Sequence, residues 1–146
     1  NVFTEALING KAHSSLPEQP ELQAIERYLQ EQTHSTAPLI IEARLVKRFQ
    51  QQPQCGRVAF LIVQPGSQSA WPELGGQLNI CEDGTPPLQV CANKPDVLIL
   101  SSEKCSDNTA PQNTLEVKEA IRVALDEGGL TQEQVKNSLH QKGSHP

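Results

Sequence analysis

Residues 55–65 read CGRVAFLIVQP, the most apolar run in the chain. In an extended segment successive side chains alternate faces, so Val58, Phe60 and Ile62 project to one side and Ala59, Leu61 and Val63 to the other. Both sides are apolar. A strand with one solvated face would carry a polar residue at every second position, so this one belongs in a sheet covered on both faces. It opens at Cys55 and ends at Pro65, and the remaining segments are what must surround it.

Upstream, Leu39–Phe49 alternates Leu39, Ile41, Ala43 and Leu45 with Glu42 and Arg44, the pattern of a half-exposed strand. Gln50–Gln54, with Pro53, joins it to the central strand as an antiparallel hairpin. Before it, Leu22, Ile25 and Leu29 recur at helical spacing among charged residues, predicting an amphipathic helix over Pro20–Gln32. Phe3, Ala6 and Leu7 predict a short helix ended by Asn9-Gly10. Lys11–Pro20 is polar, contains two prolines and reads as a linker.

Downstream, GSQSAWPELGGQ reads as a surface loop carrying Trp71, the single tryptophan. Leu78 and Ile80 leading to Cys81, a turn at Glu82-Asp83-Gly84, and Leu88 and Val90 leading to Cys91 suggest a second hairpin. Asp96–Ser101 adds a fifth strand. A helix follows over Val117–Leu125, capped by Asn113 or Thr114 and stopped by Gly128-Gly129. Thr131, Gln134 and the Leu130–Val135 pair start a last helix that runs through Leu139. Consecutive strands flanked by helices make an α+β chain: an antiparallel sheet of four to five strands with two N-terminal and two C-terminal helices. The expected organisation is a helix and polar linker over 1–19, one α+β domain over 20–141 and a frayed tail over 142–146.

With 146 residues, the chain is long enough for one core, which at 3% aromatic content must be built from Leu, Ile, Val and Ala. Twelve basic against 17 acidic residues give a net charge of −5, which argues against nucleic acid as a partner. No apolar run approaches the roughly 20 residues of a membrane-crossing helix. The chain does not open on Met, so residue 1 is expected to follow a removed signal peptide, a lipid-bearing membrane tether or an arbitrary boundary.

Cys55, Cys81, Cys91 and Cys105 are spaced 26, 10 and 14 apart with no C-x-x-C, which supports neither a zinc site nor a thioredoxin-like redox pair. Two disulfides are the expectation, with an extracytoplasmic location, periplasmic or secreted. Of three connectivities, Cys81–Cys91 across the second hairpin with Cys55–Cys105 is one, and spacing does not choose among them.

Arg44, Lys47, Arg48 and Arg57 place four of 12 basic residues within 14 positions. Arg44 and Arg48 share strand parity and could meet an acidic partner from one face, whereas charges on a solvated edge also discourage strand-to-strand aggregation. Trp71 could enter a partner's pocket or fold back onto the core. Gly66–Ala70 lacks the pattern of a nucleophile elbow, no phosphate-cradling glycine loop or H-E-x-x-H occurs, and His13, His34, His140 and His145 have no acid at motif spacing. No cofactor and no metal are therefore expected. The reading is a non-catalytic binding or adaptor module, an accessory of an envelope or secretion assembly, that meets a protein partner through Arg44, Lys47, Arg48, Arg57 and Trp71. The alternatives are a small hydrolase or thiol-handling enzyme whose site assembles only in space, and a structural subunit that oligomerises through a sheet edge.

Overall fold

The computed structural model describes residues 1–127. Cys55–Gln64 (β3) is the central strand, with nine of its ten positions buried. Around it, β1 (Lys11–Ser15), β2 (Ile40–Arg48) and β4 (Ser69–Cys81) complete an antiparallel sheet in the order β1-β2-β3-β4. A second sheet pairs β5 (Gln89–Cys91) with β6 (Lys94–Ile99), and the helices are α1 (Val2–Asn9), α2 (Pro20–Thr33) and α3 (Leu115–Glu127). The α+β class is as expected. The helices stand differently: α1 precedes the sheet, α2 lies between its strands β1 and β2, and α3 follows the small sheet, while the helix expected over 131–139 lies outside the described residues.

One face of the sheet carries α1. Asn1 caps this helix by accepting the N–H groups of Phe3 and Thr4 at 2.9 and 3.0 Å, and Gly10 ends it at φ 91°, a conformation that glycine adopts without strain. Its Val2, Ala6 and Leu7 pack against Ala43, Val58 and Ile80, with Phe3 edge-on to Phe60 at 5.2 Å. The fit at Gly56 is close enough that a Cβ there would lie 2.8 Å from Leu7 Cδ1 and 2.6 Å from the Lys47 carbonyl oxygen. On the same face Leu29 of α2 meets Leu39 and Ile62. The helix buries Leu29 and leaves Ile25 38% exposed, because Glu26 and Gln30 face the chain that enters β2. Glu26 accepts the Leu39 N–H at 3.1 Å, and Gln30 donates to the carbonyls of Thr36 and Ala37.

Against the opposite face lies α3, whose Val117, Ala120 and Ile121 pack on Phe49, Cys55 and Cys81. Thr114 caps it, accepting the Val117 N–H at 3.3 Å, and Glu116 accepts the N–H groups of Gln50 and Gln51.

Three expectations are corrected. The stretch predicted as a linker supplies the edge strand β1, its Lys11–Ser15 paired residue by residue with Arg44–Ile40. The loop predicted around Trp71 is the body of β4, entered through a tight turn at Pro65–Ser67. The predicted second hairpin does not form. Cys81 N–H closes a turn on Thr85 O at 2.8 Å, and Pro86 and Pro87 then offer no N–H for a ladder, so the chain leaves the main sheet. Accordingly β5 pairs with β6, and Val90 exchanges both backbone hydrogen bonds with Gln112. The disulfides are Cys55–Cys81, joining cross-strand neighbours of β3 and β4, and Cys91–Cys105, closing the small sheet onto the loop that follows it.

Candidate anion-binding face

Cross-strand pairing decides which basic residues stand together. Leu45 pairs with Val58 and Lys47 with Arg57, leaving Val46 as an extra residue, a β-bulge. The bulge reverses the parity expected beyond it. Arg44, opposite Ala59, and Lys47, opposite Arg57, lie on the face away from α1, whereas Arg48, opposite Gly56, lies on the α1 face. The shared face anticipated for Arg44 and Arg48 therefore does not exist. Instead Arg48 works as a clamp: it donates to Leu7 O and to Pro53 O, and reaches Glu82 Oε1 at 3.5 Å.

The face away from α1 collects Lys11 from β1, Arg44 and Lys47 from β2 and Arg57 from β3. Arg44 bonds Glu42 at 3.2 Å, and Glu42 is only 5% exposed. Lys47 is exposed and contributes, after the dominant hydrogen bond from Arg122, to holding the Glu119 carboxyl below its ordinary range.

Arg57 differs from the others. It is 8% exposed, and its two bonds go to neutral acceptors, Nε to Gln77 Oε1 at 2.6 Å and Nη1 to Asn79 Oδ1 at 2.9 Å. Burial pulls the guanidinium below its ordinary pKa, the direction expected when a charge loses solvent. Among the described residues it belongs to none of the ion pairs. Gln77 and Asn79 reach it from the same face of β4, two residues apart.

Beside Arg57 lies a cleft of about 280 Å³ lined by Ala59, Leu61, Pro72, Gly75 and Gly76, with Ala124 and Leu125 of α3 at its side. A second irregularity in β4 shapes it. Phe60 pairs with Gly76 and Ile62 with Trp71, so Pro72–Gly75 stand opposite the single residue Leu61 and bow outward. Gly75 permits this, since a Cβ there would fall 2.0 Å from the Phe60 carbonyl oxygen. Trp71 itself packs toward Leu29, Leu39 and Ile62, on the face opposite Arg57.

The structure thus brings together Arg44, Lys47 and Arg57 and separates Arg48 and Trp71 from them. It adds Lys11, Gln77 and Asn79, which sequence reasoning missed because Lys11 lay in an expected linker, Gln77 closed an expected loop, and Asn79 stood between the apolar Leu78 and Ile80 of an expected hairpin arm. Comparison with known proteins finds no family model, no curated protein and no solved structure that matches this chain. Among the described residues no group of His, Cys, Asp and Glu is placed to hold a metal, and no helix is long and apolar enough to cross a membrane.

Proposed function

We propose that this chain is a non-catalytic binding module that works outside the cytoplasm and receives an acidic protein partner on the face bearing Lys11, Arg44, Lys47 and Arg57. The observation that carries this reading is Arg57, a buried cation held by amide oxygens alone among the described residues, with Lys47 directly across from it. Structural ion pairs satisfy a buried charge with an opposite one; a cation left to neutral acceptors keeps most of its attraction for an incoming anion. Lys47 and Lys11 are exposed and extend the positive field over three strands, which favours a broad protein surface. Two disulfides point to an oxidising compartment and support the extracytoplasmic placement.

Lys11→Glu combined with Lys47→Glu tests the reading, since both side chains are exposed and both reversals leave the Arg44–Glu42 pair intact. Crosslinking of the oxidised protein to its partner should be lost in the double variant and weaken with added salt in the wild type. Undiminished, salt-insensitive crosslinking would rule out this face.

A further inference from the structure

We propose that the cleft beside Arg57 is a receptor for one carboxylate, borne by an acidic residue next to an aliphatic side chain in an extended segment of the protein partner. This rests on the binding role just assigned to the face and names what its deepest point recognises. Gln77 and Asn79 fix the guanidinium from the β4 side through Nε and Nη1, so the plane of the fork is set before any ligand arrives. Nη2 has no partner among the described residues. An Arg fork meets a carboxylate with parallel N–H···O bonds, and a preset fork loses little freedom in doing so.

The walls choose among anions. Among the described residues Arg57 is the one charged residue lining the cleft, and Ala59, Leu61, Pro72 and Leu125 give it apolar sides. A phosphate, with close to two charges, calls for a second cation; a carboxylate is matched by one guanidinium and leaves its hydrocarbon against those sides. A volume of about 280 Å³ admits a single side chain and its neighbour and is too small for a nucleotide or a drug-sized cofactor.

The test uses the full oxidised chain and two probe peptides, acetyl-Gly-Leu-Glu-Leu-Gly-amide and its Gln counterpart, followed by calorimetry and by the NMR signal of the Arg57 Nε–H. The Glu peptide should bind about tenfold or more tightly than the Gln peptide and shift that signal. Gln77→Glu should abolish the discrimination, because it places a carboxylate at Arg57 Nε with almost no change of shape. It should also raise the unfolding midpoint, which separates lost recognition from lost folding. Arg57→Lys, which keeps the charge and removes the fork, should reduce the preference. Equal binding of the two peptides, an unmoved Arg57 signal, or discrimination that survives Gln77→Glu would overturn the proposal, as would methyl phosphate binding more tightly than acetate. Loss of partner crosslinking in the Lys11/Lys47 double variant, with equal peptide binding in the wild type, would retain the face and remove the cleft. The opposite pair of results would retain the cleft and remove the face.

Discussion

Replacing each disulfide in turn should separate their contributions, because they close different loops in different surroundings. Cys91→Ala with Cys105→Ala opens a loop of sequence separation 14, for which chain entropy gives about 3 kcal/mol; Cys55→Ala with Cys81→Ala opens one of 26, for about 3.5 kcal/mol. Loop length alone would leave the two nearly equal. The surroundings do not. Cys55 and Cys81 sit among Phe49, Val117 and Ala120 in the contact between α3 and the sheet, so losing their sulfurs also opens space in the core. Cavity terms of this kind add about 1 kcal/mol or more, bringing the second figure to roughly 4–5 kcal/mol.

Urea unfolding of the two oxidised double variants beside the wild type gives both values from one experiment. The pairing is read independently: cleavage after Arg57, Glu82 and Lys104 leaves each cysteine in its own peptide. Without reduction the Cys55 peptide should remain joined to that of Cys81, and the Cys91 peptide to that of Cys105. A Cys81–Cys91 link would refute the topology, since it requires the second hairpin that Pro86 and Pro87 prevent. Equal losses in the two variants would refute the claim that Cys55–Cys81 is packed into the cluster between α3 and the sheet in a way that Cys91–Cys105, also buried, is not.

Two further predictions concern stability and pH. Leu7 is fully buried and Ile8 is 55% exposed, so Leu7→Ala should cost about 3 kcal/mol and Ile8→Ala well under 1 kcal/mol by the same urea assay; a small loss at Leu7 would mean that α1 is not part of the core. Asp83 accepts the hydroxyl and backbone N–H of Thr85, and the hydroxyl bond is the larger cause of its lowered pKa; Asp107 repeats the arrangement with Thr109. A depressed carboxyl stabilises the fold above its unfolded value and loses that contribution as pH falls through its folded value, so Thr85→Val should raise the Asp83 pKa toward the ordinary range in an NMR titration while leaving Asp107 unchanged. An unmoved Asp83 would refute the assignment.

The parts of the fold that were legible in the sequence are those where side-chain pattern and local geometry carry the same message. The continuous apolar run Val58–Val63, the Asn9-Gly10 stop and the cap at Asn113 or Thr114, which the structure gives to Thr114, each name their structure, because burial or a cap leaves few residue types to choose from. Lys11–Ser15 carried no such message. Only Ala12 and Ser14 of this edge strand are half-buried and the other positions are exposed, so its place rests on backbone hydrogen bonds to β2 that any sequence could make. β4 was hidden for a related reason: Pro72 and the Gly75-Gly76 pair are loop residues by composition, yet Pro72 and Gly75 sit in the bow opposite Leu61 and Gly76 pairs with Phe60 where the ladder resumes.

For the candidate site, what stayed hidden is a count of residues between partners. The basic cluster was visible as composition, but its face depends on Val46, one residue that has no opposite number on β3. Without that bulge, strict alternation would set Arg44 with Arg48 and turn Lys47 away from both. With it, Lys47 stands across from Arg57 and Arg48 turns inward to hold α1. The second bulge, at Pro72–Gly75, acts on the other side of β3 and leaves space beside the same arginine. Both irregularities lie against one short reach of β3, from Arg57 to Leu61, and each costs ladder hydrogen bonds that a regular sheet would have made. A scaffold whose only task was stability would gain by removing them. Their coincidence around a buried guanidinium with neutral partners is what the proposed binding role accounts for, and on that proposal the recognition surface lies on the sheet itself rather than on the connecting turns.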